Sequence, residues 1–210
     1  MLHIANSLLS IDLEGDLVEC GCNQGNSTAK LSILAKLLGK KLYIFDSFEG
    51  LPETKDNTIN DFHVRQKTKR YWQKGLYCGE LDVVKRNIEK YGEINSCIFK
   101  KGWFGDTLVK DNLPNKICLS FSDCDLAQSA FDCLINLWPL TVHRGLFYSH
   151  DVAFQKVLEI LYSENTWKNH LNEFPPVLYG AGYGVSDSSP HLGFMVKGGV
   201  DEETPSNYFL

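Results

Sequence analysis

GDLVECGCNQGNS, residues 15–27, is the stretch from which the fold can be inferred. A short apolar strand over residues 17–20 ends at Gly21, and from Ser27 onward apolar residues recur at helical spacing as far as Gly39. Glycines in such a turn let a ligand approach the backbone, and the N–H groups that begin the helix can hold a carboxylate or a phosphate. The spacing is not G-x-G-x-x-G, which disfavours a dinucleotide site and a hydride-transfer enzyme.

Short apolar runs alternate with helical periodicity along the rest of the chain. Further strands are predicted over residues 42–45, 98–99, 117–121, 146–148 and 192–196, and further helices over residues 81–91, 126–138 and 152–162. Strands with consecutive apolar residues are typical of a sheet that is covered on both faces. We therefore predict an α/β fold: a Rossmann-like, doubly wound, mostly parallel sheet with helices on both faces.

The length of 210 residues predicts a single domain over residues 1–210. Within it, a polar and charged segment over about residues 50–79 interrupts the alternation of strands and helices. A connection of that length in an α/β domain is typical of a functional lid or an insertion, and the alternative is a solvated surface loop.

Composition and charge exclude several classes of protein. Lys and Arg number 21 against 26 Asp and Glu, a net charge of −5, so we expect no nucleic-acid partner. No apolar run approaches the roughly 18 residues of a membrane span, and the N-terminus lacks the basic segment of a signal peptide. The seven cysteines contain no C-x-x-C pair, so we expect reduced, packed thiols in a cytoplasmic protein.

Acidic residues follow the predicted strands. Asp46 ends the second strand, about twenty residues after the glycine turn, where a nucleoside ribose would offer its hydroxyls. Together, the turn and this carboxylate favour a ligand that carries a nucleoside. In a parallel sheet these groups lie at the edge where ligands bind.

Four more polar residues follow the later strands: Asp123 and Asp125 after one, His150 and Asp151 after the next. Carboxylates gathered at one sheet edge repel one another, so they usually share a cation or a proton. The alternative is that Asp125 and Asp151 only cap the helices that begin after them.

The sequence resembles the class I S-adenosylmethionine-dependent O-methyltransferases of the macrocin (TylF-like) type. The matching motifs are GDLVECG (15–21), YIFDSFEGLP (43–52), KGWFGDTL (101–108) and DCDL (123–126). The resemblance covers roughly residues 15–151, and the second and third motifs are far more specific than a glycine turn. It implies a seven-stranded sheet of the class I methyltransferase fold, with S-adenosylmethionine as cofactor.

The resemblance also assigns residues to the cofactor. The set is Glu19, Gly21, Asn23, Gly25, Ser27, Asp46, Ser47, Gly102, Trp103, Phe104 and Asp123. Glu19, Gly21 and Gly25 would line its methionine end, and Asp46 and Ser47 would face its ribose. The Gly-Trp-Phe of the third motif would lie near the adenine.

By the same resemblance, Asp123, His150 and Asp151 would hold a divalent cation, Mg²⁺ or Mn²⁺, and Asp125 would be the general base. The family has Asp-Asp where this chain has His150-Asp151. Magnesium prefers hard oxygen ligands, whereas softer ions such as manganese, iron or zinc accept an imidazole. Three hypotheses stay open: a changed metal, a lost metal with His150 catalytic in proton transfer, or a degenerate site.

The expected function is therefore methyl transfer to a hydroxyl of a small molecule, a sugar or a glycosylated natural product. The alternative is a protein of this fold that binds S-adenosylmethionine without catalysis. The segment before the first motif is brief, so a partner subunit of a homo-oligomer is one way to complete the acceptor pocket.

Overall fold

The computed structural model describes residues 2–9, 12–53, 73–180 and 192–198. Its strands are β1 (Asp16–Cys20), β2 (Leu42–Asp46), β3 (Cys97–Lys101), β4 (Ile117–Ser122), β5 (Thr141–Ser149) and β6 (Gly193–Val196). They form one sheet in the order β3-β2-β1-β4-β5-β6, in which β6 alone is antiparallel to its neighbour. The predicted mostly parallel α/β sheet is confirmed.

The described residues form six strands, where the resemblance implied seven. The outer neighbour of β6 is a single antiparallel bridge, in which Tyr179 and Phe194 exchange backbone hydrogen bonds of 2.8 and 2.9 Å. The bridge places the chain at Tyr179 beside β6, where a seventh strand would pair. Residues 181–191, which lead from this bridge toward β6, lie outside the described ranges.

Seven helices are described: α1 (Leu2–Leu9), α2 (Asn26–Leu37), α3 (Leu81–Tyr91), α4 (Phe104–Thr107), α5 (Ala127–Leu137), α6 (Gln155–Tyr162) and α7 (Glu164–Leu171). Gly39 follows α2 with a φ of +67°, and its N–H donates to Lys36, so the predicted stop is confirmed. Pro139 lies in the short 3₁₀ turn that follows α5. Among these helices none is long and apolar enough to cross a membrane.

The helices α1, α4 and α7 were not predicted. Helix α1 has only eight residues, yet it buries Ile4 and Leu8 in the core. Helix α7 begins after Ser163, whose hydroxyl accepts a hydrogen bond of 3.2 Å from the N–H of Thr166. Trp167 of this helix is fully buried and donates its indole N–H to Leu161, which fixes α7 against α6.

Apolar side chains cover the sheet on both faces. On one face Leu17 of β1 packs in a cluster with Leu31 of α2 and Ile88 of α3. On the other, Val18 of β1 belongs to a cluster with Leu134 of α5. Helices on both faces are therefore confirmed. The seven cysteines are all unbonded, and five of them are buried, as expected for thiols packed as small hydrophobes.

The order of strands reverses at β1, which pairs with β2 on one side and with β4 on the other. In open α/β sheets, ligands bind in the crevice outside the carboxyl ends of the strands at such a reversal. The glycine turn follows β1 and Asp123 follows β4, so the fold places both beside this crevice.

Candidate active site

Backbone contacts connect the turns at the carboxyl ends of the first five strands. Gly102 after β3 donates to the carbonyl of Asp46, and Asp123 after β4 donates to the carbonyl of Cys20, at 3.0 and 2.9 Å. His150 after β5 donates to the carbonyl of Ser122 at 2.8 Å. The residues that the sequence assigned to a cofactor, a metal and a base therefore lie along one continuous sheet edge.

The glycine turn is built for close approach of backbone to backbone. Gly21 has a φ of +85°, and a Cβ at this position would lie 1.8 Å from the carbonyl oxygen of Asp123. Gly25, with a φ of +88°, precedes α2 in the left-handed conformation. Asn23 is exposed between them, with a φ of +46°. The positive φ of both positions favours glycine. At Gly21 a side chain would also collide with the carbonyl oxygen of Asp123.

Glu19 is fully buried beneath this turn. Neither of its carboxylate oxygens, nor the hydroxyl oxygen of Thr28, has a hydrogen-bond partner of good geometry. Burial raises the pKa of Glu19 to about 8, and the hydroxyls of Ser27 and Thr28 only partly oppose that shift. A buried carboxyl group without a partner is a site for a cationic or hydrogen-bond-donating ligand group.

Asp46 connects the glycine turn to the end of β2. One carboxylate oxygen accepts the N–H of Cys22 and the other accepts the N–H of Phe48, both at 2.7 Å. The neighbouring Ser47 donates its hydroxyl to Gly50 and accepts from the N–H of Glu49. The hydroxyl of Ser47 therefore shapes its own turn, and its assignment to the ribose stays a prediction.

The third motif forms the turn after β3. Gly102 has a φ of +146°, and a Cβ there would lie 2.7 Å from the methyl group of Thr107. Trp103 is 39% exposed at the start of α4, and Phe104 is partly buried against the core. An exposed indole at this edge offers an apolar face to a ring such as adenine.

Asp123, His150 and Asp151 form the cluster that the sequence predicted. One ligand atom from each lies within 4.8 Å of the others, and no further group of this kind is found among the described residues. His150 Nδ1 lies 3.2 Å from Asp123 Oδ1, and both side chains are open to solvent. Asp151 is buried, with 1% exposure.

The hypothesis that Asp125 and Asp151 are only helix caps is wrong. Helix α5 is preceded by Leu126 and helix α6 by Phe154, and neither has a side-chain cap. Asp125 lies one residue before the N-cap position of α5, and Asp151 lies three residues before that of α6. Neither carboxylate is therefore committed to a helix cap.

Burial, and after it the crowding of acids, sets the electrostatics of the cluster. Burial raises the pKa of Asp125 and that of Asp151, and the charge of Asp123 adds to both shifts. The pKa of His150 is raised, chiefly by its hydrogen bond to Asp123. This edge of the sheet favours a bound proton or a bound cation.

The sequence did not predict how α3 supports the glycine turn. A Cβ on Gly79 would lie 1.8 Å from the carbonyl oxygen of Asn23, and Asn87 donates to the carbonyl of Gln24 at 2.8 Å. Gly79 is the last residue of the polar segment. A glycine at that place was the one sequence signal that another backbone packs closely against it. Of the predicted lid over about residues 50–79, residues 54–72 lie outside the described ranges.

A comparison with protein families identifies the chain. The model of the macrocin-O-methyltransferase (TylF) family matches residues 2–173, well over half of the sequence. The chain belongs to the TylF family. It is an S-adenosylmethionine-dependent O-methyltransferase, and the family match extends on both sides of the motifs over residues 15–151. No curated protein matches the sequence.

Solved structures share the fold at low identity. The O-methyltransferase NovP has a TM-score of 0.68 and 18% identity, over 92% of this chain and 76% of NovP. The calicheamicin methyltransferase CalS11 has a TM-score of 0.64 and 14% identity, over 93% and 77%. An rRNA methylase from Streptococcus thermophilus has a TM-score of 0.52 and 16% identity, over 94% of both chains. At these identities the likeness concerns the fold.

The donor groups of this TylF-family site fit both ligands that the family implies. The buried carboxyl oxygens of Glu19, which lack a hydrogen-bond partner, suit the charged end of S-adenosylmethionine. The two carboxylates and one imidazole at Asp123, Asp151 and His150 suit a divalent cation that accepts nitrogen.

Substituting Gly21 tests whether the close contact with Asp123 is needed. In Gly21→Ala the new methyl group must displace the Asp123 backbone, so we expect cofactor affinity to fall at least about tenfold. Gly39→Ala is the control, because Gly39 also has positive φ but nothing within 4 Å of a Cβ. It should cost about 1 kcal/mol of stability and leave affinity unchanged in a calorimetric titration. Equal affinity losses in both variants would contradict this assignment.

Glu19 predicts a pH dependence of stability in the unliganded protein. Its folded pKa of about 8 exceeds the ordinary 4.5, so between these pH values the folded carboxyl keeps a proton that the unfolded one has lost. This contribution is present below pH 4.5 and is lost as pH rises through 8. The free energy of unfolding, measured by urea titrations at several pH values, should therefore fall less steeply between pH 4.5 and pH 8 in Glu19→Gln than in wild type. Glu89→Gln, on the exposed surface of α3, is the matched control. Identical slopes for Glu19→Gln and wild type would refute the prediction.

Proposed function

We propose that the protein transfers a methyl group from S-adenosylmethionine to a hydroxyl of a small molecule, a sugar or a glycosylated natural product, with Asp125 as general base. CalS11 supports this acceptor class: a second structure of it, the apo form, describes it as a TDP-rhamnose 3′-O-methyltransferase and shares the fold with a TM-score of 0.55. The acidic net charge supports a small acceptor over RNA, despite the likeness to an rRNA methylase.

One observation carries the proposal: the glycine turn and the Asp123–His150–Asp151 cluster are in backbone contact. The carbonyl of Asp123 lies against the Cα of Gly21, so a cofactor on the turn and an acceptor at the cluster would be neighbours. Methyl transfer needs the donor and the hydroxyl oxygen side by side and in line. This proximity is supplied by the fold before either ligand binds.

The residues of the chain have distinct parts in the proposed reaction. When bound, the cofactor supplies a methyl group on a positively charged sulfur. Glu19 and Asp46 would bind its polar groups, and Trp103 would cover its ring. At the cluster, Asp125 would take the proton of the acceptor hydroxyl while the hydroxyl oxygen bonds to the methyl carbon. The bond from that carbon to the sulfur would break, and the demethylated cofactor would leave as a neutral thioether.

Asp123, His150 and Asp151 would hold a divalent cation. When bound, that cation would lower the pKa of the acceptor hydroxyl. An imidazole ligand favours manganese, iron or zinc over magnesium. The hydrogen bond between His150 Nδ1 and Asp123 supports the competing hypothesis, in which His150 acts in proton transfer without a metal. The proposed methyl transfer accommodates either arrangement.

The role of Asp125 is tested by Asp125→Asn. Asparagine tolerates the positive φ of this position, so the variant should keep its fold and its cofactor affinity. Its turnover with a hydroxylated acceptor should fall by about 10²-fold or more, because the base is gone. The assay follows labelled methyl transfer to a panel of sugars, sugar nucleotides and glycosides, with the exposed Asp111→Asn as control.

Near wild-type turnover in Asp125→Asn would exclude it as the base. A thermal-shift series accompanies the assay, with S-adenosylmethionine, its demethylated product and NAD. Stabilisation by the first two is expected, and stabilisation by NAD alone would overturn the cofactor assignment. Tight binding without turnover on any acceptor would favour the non-catalytic alternative.

The metal hypothesis is tested by chelation and replacement. Treatment with EDTA should abolish turnover, and Mn²⁺ should restore it better than Mg²⁺ because His150 supplies nitrogen. His150→Asp restores an all-carboxylate set and should shift the preference toward Mg²⁺. The measurement is the methyl-transfer rate against metal concentration. Turnover that EDTA leaves untouched would exclude a catalytic metal.

A further inference from the structure

The backbone of Asp125 is held in an uncommon conformation. Its φ is +60°, in the left-handed region that few residues other than glycine, asparagine and aspartate adopt. The N–H of Leu126 donates to the carbonyl of Cys124 at 2.6 Å, which closes a three-residue γ-turn centred on Asp125. A γ-turn with positive φ is rare and strained. Such strain persists only where the surroundings over-determine it, and it concentrates at active sites.

Asp151 supplies that constraint from a different strand. Its Oδ2 accepts the N–H of Cys124 at 2.8 Å and the N–H of Asp125 at 2.9 Å. The acceptor lies after β5 and both donors lie after β4, so these bonds join two strand ends across 26 and 27 residues of sequence. One oxygen atom of Asp151 therefore accepts the N–H groups of Cys124 and Asp125, the first two residues of the γ-turn.

The surroundings fix Asp151 itself. Its own N–H donates to the hydroxyl of Ser149 at 3.3 Å, and its carbonyl accepts the N–H of Phe154 at 2.9 Å. Its side chain is 1% exposed. A buried side-chain oxygen that accepts two backbone N–H groups satisfies donors that would be costly to leave without a partner. Oδ2 of Asp151 is therefore a fixed hydrogen-bond acceptor for the loop that follows β4.

We infer that Asp151 is a positioning residue, whose Oδ2 holds the Asp123–Asp125 loop in the strained turn that aims the Asp125 carboxylate at the acceptor. The inference rests on the proposed function for the role of Asp125. It assigns to Asp151 a task beyond that of a metal ligand. The two hydrogen bonds need no ion, so this task is separable from cation binding.

Amide hydrogen exchange on the full-length, EDTA-treated protein tests the inference. In Asp151→Ala the N–H groups of Cys124 and Asp125 should exchange at least about tenfold faster than in wild type. In Asp151→Asn the amide oxygen can accept both bonds, so exchange should stay close to wild type. Asp123→Ala is the control, because that carboxylate pairs with His150 and not with these N–H groups. Its exchange at both positions should match wild type.

Kinetics supply the second measurement. Asp151→Ala should lower kcat at least about tenfold with cofactor Kd unchanged, and Asp151→Asn, whose amide oxygen can still accept both bonds, should lose less kcat than Asp151→Ala. Unchanged exchange in Asp151→Ala would overturn the inference. So would equal losses of kcat in both variants with wild-type exchange in both, since that pattern belongs to a metal ligand or a required charge.

A stability comparison covers the case in which Asp151→Ala folds but is only marginally stable. Glycine adopts positive φ freely, so Asp125→Gly should relieve the strain that Asp151 restrains. The double variant Asp125→Gly/Asp151→Ala should therefore unfold at a higher temperature than Asp151→Ala. A lower or equal temperature would contradict the inference. Exchange and unfolding need no turnover, so an inactive wild type would refute the methyl-transfer proposal and leave these results interpretable.

Discussion

The contact between Gly21 and Asp123 is the constraint on which the site depends. The Cα of Gly21 lies so close to the Asp123 carbonyl that no side chain fits between them. The same loop is held to β1 by the hydrogen bond from the N–H of Asp123 to Cys20. The glycine turn and the Asp123–Asp125 loop, to which we assign the cofactor and the acceptor, are thereby joined at the reversal of strand order. A methyl donor and a hydroxyl need this adjacency more than any single catalytic group.

The price of this convergence is acidic crowding. Glu19, Asp125 and Asp151 are withdrawn from water near the same edge, and burial raises the pKa of each. Burying these carboxyl groups costs free energy, and bound cations or hydrogen-bond donors would offset that cost. The TylF-family site thus combines strained backbone, unpartnered carboxyl oxygens and an exposed Asp123–His150 pair, all at the ends of parallel strands.

Most of the fold, and the meeting of Asp123, His150 and Asp151, could be predicted, because both depend on local patterns. Consecutive apolar residues indicated the strands, and the end of each strand indicated which acids would meet. What could not be predicted depends on contacts between distant residues. The cap hypothesis for Asp125 failed because the chain turns again before α5, and a γ-turn has no sequence pattern of its own. The bonds from Asp151 to the Cys124 loop, like the support of the turn by Gly79, arise only when separate elements pack.

On the proposed function, one sheet edge holds the methyl donor and the acceptor site side by side. A crystal structure with the demethylated cofactor and Mn²⁺ would show whether it does. We expect cofactor density along the glycine turn, with its ribose at Asp46, and an anomalous manganese peak among Asp123, His150 and Asp151. Cofactor density away from Gly21, or a manganese peak away from these three side chains with the cofactor bound, would contradict it.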